Sequence, residues 1–229
     1  MRRRYKKKRN FRSRKRGHFR RKKKMMSRIY TARLSNRMGS LSADKINTHL
    51  KSMIVLTTSG VANTALTWSM NDLFDPFLAN STIQPIGFDQ LTNIYNKYQV
   101  HASRITIKLV NLTTTGGVWV SIFPSAINTN ALSFTGATEQ PYSKYCIIGV
   151  ATGQDVGLLK NYCSCSKVVG RIIKYDQNFA GTATSNPGTQ LYWQFNMSHL
   201  DGVSNINVQY LIEIMYYCEF WARVQIDNS

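Results

Sequence analysis

Nineteen of the chain's 30 Lys and Arg residues fall within its first 37 positions, where there is no Asp or Glu, and this segregation decides which part can fold. Residues 38–229 carry eleven bases and eleven acids, so the formal net charge of +19 belongs to one end. A segment of one sign at that density repels itself too strongly to collapse around its few apolar side chains. It can, however, displace counterions from a polyphosphate, the general source of salt-dependent nucleic-acid affinity. The expectation is a cationic, flexible arm over residues 1–37 and one folded domain over residues 38–229. A chain of 26.1 kDa leaves room for one such domain with a substantial core, since the arm holds few of the residues that make the whole 43% hydrophobic and 11% aromatic.

The arm supplies the candidate nucleic-acid-binding residues: Arg2, Arg3, Arg4, Tyr5, Lys6, Lys7, Lys8, Arg9, Arg12, Arg14, Lys15, Arg16, Arg20, Arg21, Lys22, Lys23 and Lys24. Tyr5, Phe11 and Phe19 are spaced among the cations, and rings beside guanidinium groups can stack on unpaired bases while the charges hold phosphates. The same basic clusters suit a nuclear import signal, which would make import receptors a second partner.

Beyond residue 50 the pattern is that of strands. Thr and Val are frequent from Met53 to Trp68, with Ser59-Gly60 as a bend or hairpin between two runs. Ile105, Ile107 and Leu109 alternate with polar residues, as do Leu191, Trp193, Phe195 and Met197; Val118, Val120 and Ile122 alternate with Trp119, Ser121 and Phe123. Each is read as a strand with one buried face. The longest alternation, Val208, Tyr210, Ile212, Ile214, Tyr216, Cys218, Phe220, Ala222, Val224 and Ile226, predicts a long terminal strand, or two joined by a bulge. Only Phe88, Leu91, Tyr95 and Tyr98 have helical spacing, which predicts a helix of about three turns. Many short strands, turn-rich loops such as Ser185-Asn186-Pro187-Gly188 and one short helix in a connection predict an all-β antiparallel sandwich.

Catalytic and metal chemistry find little support. Cys163-x-Cys165 lacks zinc-knuckle spacing and a second ligand pair, and four cysteines (Cys146, Cys163, Cys165, Cys218) are too few for a disulfide scaffold, so reduced thiols are expected. His199, Asp201 and a serine could be assembled into a triad on paper, but no nucleophile elbow accompanies them. Gly149, Gly153 and Gly157 recur without the Lys-Ser or Lys-Thr of a phosphate loop and are read as loop glycines. Eleven scattered acids offer no evident acid-base or two-metal pair, and His18, His49, His101 and His199 are isolated. The expectation is no enzyme, no cofactor and no metal. No run approaches the ~20 apolar residues of a membrane helix and the start lacks a signal core, so a soluble, non-secreted chain is expected and the sequons at Asn80, Asn111 and Asn196 carry little weight.

The segments Ile29-Tyr30-Thr31-Ala32-Arg33-Leu34-Ser35, Trp68-Ser69-Met70-Asn71-Asp72-Leu73-Phe74, Phe88 through Asn111 with Tyr95-x-x-Tyr98-x-Val100, and Asn207 to Arg223 follow one another as in a known family. In these segments, about a third of the chain, it resembles the capsid proteins of circoviruses and related small circular single-stranded DNA viruses; residues from about Pro124 to Gly188 carry no such likeness. The resemblance implies an eight-stranded jelly roll whose identical copies close into a small icosahedral shell, with arms directed inward to a single-stranded DNA genome and a nuclear stage before packaging. It thus implies a virion protein found in the host nucleus during assembly, and a host attachment factor of unknown identity. The alternatives are the capsid protein of a small RNA virus, which also joins a basic arm to a jelly roll, and a cellular basic nucleic-acid-binding protein. If exposed, Phe74, Trp119, Trp221 or residues of the Pro-flanked loops would serve as subunit anchors; core packing is the competing role of each.

Overall fold

The computed structural model describes residues 44–78, 83–128, 133–150 and 156–224. The terminal alternation becomes one long strand, β9 (Ile206–Arg223), and it lies inside a sheet rather than at its edge. Its neighbours are β1 (Lys45–Val61), registered Lys45 to Trp221 through Val61 to Ile206, and β3 (Tyr95–Asn111), with β6 (Val156–Ser164) beyond β3. The two-residue β7 (Ala180–Gly181) extends that far edge against Tyr98 and Gln99. The second sheet runs β2 (Asn63–Ser69), β8 (Tyr192–His199), β4 (Val118–Ser125), β5 (Lys144–Ile148). Every pairing is antiparallel, and of the consecutive long strands only β4 and β5 are sheet neighbours. The other connections cross between the sheets, which is the wrapping of an eight-stranded jelly roll.

Alternation places the core. Ile105, Ile107 and Leu109 of β3 and Ile212, Ile214, Tyr216 and Phe220 of β9 face Trp193, Phe195, Val120 and Ile122 of the second sheet, all fully buried. Two hydrogen bonds cross this interior. Trp193 Nε1 donates to Ser103 Oγ at 2.9 Å, and the Tyr216 hydroxyl donates to the Ser69 carbonyl at 2.9 Å. Each satisfies the polar end of a ring that carries most of its area into the core.

Three expectations change. The bend near Gly60 falls at Ala62 instead, between β1 and β2 in different sheets; Gly60, at φ 76°, sits at a bulge where the β1–β9 register slips between Ser59 and Val61. The helix at residue 88 stops after one turn, α1 (Phe88–Thr92), and Tyr95 and Tyr98 belong to β3. The helical spacing is satisfied another way: Phe88, Tyr95 and Tyr98 converge on Phe220, with ring centroids 6.4, 6.4 and 5.9 Å away, while β9 offers the backbone from Tyr95 onward a ladder. Two further one-turn helices, α2 (Phe134–Thr138) and α3 (Cys165–Val169), lie in connections where no helix was expected.

The third change concerns β4 and β8, which are buried on both faces rather than one. Trp119, Ser121 and Phe123 on the outward side of β4 are covered because α2 packs against β4 and β8, and the chain after β4 returns so that Gln194 Nε2 donates to the Ile127 carbonyl. In β9 the buried alternation runs from Ile206 to Phe220 and ends at Ala222, which is exposed with a left-handed φ of 57°; Val224 follows the strand, and Ile226 lies outside the described residues.

Because three aromatic rings meet Phe220, Phe220→Ala is expected to lower unfolding free energy by about 3–5 kcal/mol, read from denaturant unfolding. A loss under about 1 kcal/mol would mean that the cluster does not hold the start of β3 against β9.

Candidate nucleic-acid interface

All seventeen candidate binding residues, Arg2 to Lys24, lie outside the described residues, as do the first resemblance segment and His18. The described body presents the eleven bases after residue 37, several of them matched to acids. Lys45 Nζ lies 3.0 Å from Glu219, Lys51 Nζ 2.8 Å from Glu213, and Arg171 2.6 Å from Asp176. His101 approaches the other Glu219 oxygen at 3.6 Å.

His199 and Asp201 do meet, with 2.7 Å between Nδ1 and Oδ1, but not as part of a triad. The imidazole's other nitrogen donates to the Thr115 carbonyl, and Asp201 Oδ2 accepts from Ser204 Oγ, so among the described residues no serine hydroxyl sits where the imidazole could take its proton. The group instead ties the loop after β3 to the turn between β8 and β9. Gly116, at φ 80°, permits this: a Cβ there would stand 2.6 Å from the His199 ring. That role for Gly116 has no local signature in the sequence, because its partner is 83 positions away in the chain.

The electrostatics follow from these contacts. The Thr115 carbonyl, with Asp201 assisting, raises the His199 pKa above its ordinary value despite burial, since both ring nitrogens face oxygen acceptors. Hydrogen bonds from the Ser204 hydroxyl, the Ser204 N–H and the Val203 N–H hold Asp201 well below the usual carboxylate range. A second carboxylate, Asp72, is fully buried between the sheets' ends, where it accepts from Tyr98 Oη at 2.7 Å and from Gln190 Nε2 at 3.2 Å. Burial raises its pKa in spite of those donors. It anchors a loop, its Oδ1 also accepting from the Phe74 N–H at 2.9 Å.

The remaining candidates divide in the same way. All four cysteines are free thiols; burial pushes Cys146 up to about 11 and Cys218 up to about 12, so neither is a ready nucleophile. Gly149 is in a loop, but Gly157 is a strand residue of β6 against which the Ile148 side chain packs, and Gly153 lies outside the described residues. Asn111 and Asn196 are buried in β3 and β8, which removes both sequons from the surface; Asn80 lies outside the described residues. Trp119 is buried, and Phe74 and Trp221 are half-buried, Phe74 against the core. The most exposed large apolar side chains are instead at loop tips: Ile86 before α1, Ile172 and Tyr175 after α3, and Val203 between β8 and β9, each 80% exposed or more. Isolated apolar residues in loops carry no periodicity, so sequence patterning could not single them out.

No protein-family model and no curated protein sequence matches the chain. Among solved structures it is similar to Desmodium yellow mottle tymovirus, at 13% identity and a TM-score of 0.43 over 80% of this chain and 93% of that one. It is also similar to the structure of Cocksfoot mottle virus, at 8% identity and 0.45 over 79% and 97%. A third is the semi-empty virus-like particle of the giant freshwater prawn Macrobrachium rosenbergii nodavirus, at 12% and 0.42 over 86% and 92%.

A histidine with a raised folded pKa contributes stability that is complete below its unfolded pKa and is lost as pH rises through the folded value. The melting temperature is therefore expected to fall across the pH window that opens above roughly pH 6.5, the ordinary imidazole value, and His199→Gln should flatten that fall. Equal declines in both proteins, followed by thermal denaturation across that window, would assign the dependence to another group.

Proposed function

We propose that this chain is the shell-forming capsid protein of a small virus, with residues 1–37 packaging single-stranded nucleic acid and the jelly roll tiling with its own copies. The observation that carries the reading is the partition of charge: nineteen bases and no acid before residue 38, against eleven of each after it, joined to an eight-stranded sandwich. A body without net charge can be crowded against identical bodies without accumulating repulsion, while the enclosed polyanion neutralises the arms. The exposed tips Ile86, Ile172, Tyr175 and Val203 suit subunit contacts better than the aromatic residues singled out from sequence.

The polymer is DNA on the sequence resemblance and RNA on the alternative reading. None of the three similar structures named above is of a circovirus, and phosphates and base faces are common to both polymers. Sequencing nuclease-protected nucleic acid from particles distinguishes them. Use of the arm in nuclear import belongs to the same proposal and rests on the basic clusters alone.

Full-length protein mixed with single-stranded oligonucleotide is expected to give regular closed particles by electron microscopy. Its binding should weaken with salt at a log-log slope near 7 in magnitude if about 10 phosphates are neutralised, and deletion of residues 1–37 should remove most of that slope. Undiminished affinity in the deleted chain, or only small complexes at high concentration, would favour a cellular basic nucleic-acid-binding protein.

A further inference from the structure

The outward face of the β1–β9–β3–β6 sheet is not neutral, although the body as a whole is. Register across the four strands aligns Lys51, Met215, Arg104 and Tyr162 in one row, and Met53, Glu213, Thr106 and Lys160 in the next. A third row holds Val55, Leu211, Lys108 and Leu158. Of the charged groups in these rows, Glu213 is the one acid, and it is occupied by Lys51 at 2.8 Å. Arg104, Lys108 and Lys160 have no carboxylate within ion-pair distance among the described residues, and Arg104 donates instead to the Met215 sulfur at 3.5 Å. Three uncompensated cations thus sit on the last two strands of the sheet.

Beside them lies an aromatic platform. Tyr162 and Tyr217 meet edge to face across β3 with ring centroids 5.7 Å apart, and His49 packs edge-on to Tyr217 at 4.7 Å. Tyr162 is 56% exposed, so its ring is supported by a neighbour yet open to a planar partner. Arg104 is its register partner on β3, and Lys160 and Lys108 continue along the sheet. An exposed ring backed by the half-buried Tyr217 and flanked by cations at strand spacing matches what unpaired nucleotides need: a stacking surface and phosphate contacts a few ångströms away.

We propose that this sheet face is a second binding surface for single-stranded nucleic acid, distinct from the arm, in which bases stack on Tyr162 and Tyr217 and phosphates lie against Arg104, Lys108 and Lys160. It deepens the packaging function and rests on that reading. Charge selects the occupant. A ligand of like charge is disfavoured, which rules out a cationic peptide, and the same face of a second copy carries the same excess. A polyanion is the ligand that relieves all three cations at once, and the exposed apolar Val55 and Leu158 offer further contact to base and sugar.

The test uses the full-length chain and an oligonucleotide bearing photoactivatable thymine analogues, with crosslinked peptides mapped by mass spectrometry. Crosslinks are expected on Tyr162 and Tyr217 as well as within residues 1–37. The combined variant Arg104→Gln, Lys108→Gln, Lys160→Gln should lower the magnitude of the salt slope by about 2, three phosphates at about 0.7 each. Tyr162→Ala should weaken binding without changing the slope and should remove the Tyr217 crosslink. These side chains face outward, and unchanged melting temperatures confirm that the variants fold. Crosslinks confined to residues 1–37 with an unaltered slope would overturn the second surface and leave the arm's role standing, whereas absence of arm crosslinks would overturn the packaging reading itself. Unchanged binding with lost particle formation in the charge variant would identify the face as a subunit contact and equally reject the proposal.

Discussion

The fold depends on β9 lying between β1 and β3. Those neighbours are 17 residues each and β9 is 18, so the largest hydrogen-bonded surface in the molecule joins the last described strand to the first. Until that strand is in place, the inner faces of β1 and β3 have no continuous sheet to belong to, and the aromatic cluster around Phe220 is incomplete. Loop-closure entropy is spent on β1–β9 contacts 145 to 176 residues apart, which marks this as a slow-folding, cooperative topology. The crossed hydrogen bonds of Trp193 and Tyr216 then make one packing of the sheets preferable to a slipped one, because any slip leaves a buried donor unpaired.

Charge is organised at two scales. Along the chain, nineteen cations and no acid are segregated into the first 37 positions. Across the folded body, equal numbers of bases and acids do not imply an even distribution: Glu219 and Glu213 of β9 hold Lys45 and Lys51 of β1, while Arg104 and Lys108 of β3 and Lys160 of β6 remain uncompensated on the same sheet. Net charge governs whether copies can be crowded together, but local charge governs what each face will accept.

Much of the fold was legible because a half-buried strand must alternate. The β9 residues Val208 to Phe220, the inner residues of β3 and those of β8 were all readable from period two. The stretch from Phe88 to Tyr98 misled because one turn of helix followed by strand can place apolar rings at the intervals of a longer helix; a ladder partner 128 positions away, Arg223 for Tyr95, decided the matter. The double burial of β4 was hidden for a related reason. Trp119 and Phe123 sit on what would be a solvent face, and α2, which covers it, comes from a connection with no helical periodicity.

The sequence alone determined that one end is a polycation and that the rest is a β-sandwich, because like-charge repulsion and side-chain alternation are local properties of order along the chain. The tertiary structure decided what order cannot encode: that Tyr162 and Tyr217, on strands two apart in the sheet, share a face with Arg104, Lys108 and Lys160, and that His199 is locked by Thr115 rather than poised for catalysis. Both follow from strand register, a relation between distant segments fixed by the burial of the whole core, so neither had a signature in any single stretch of residues.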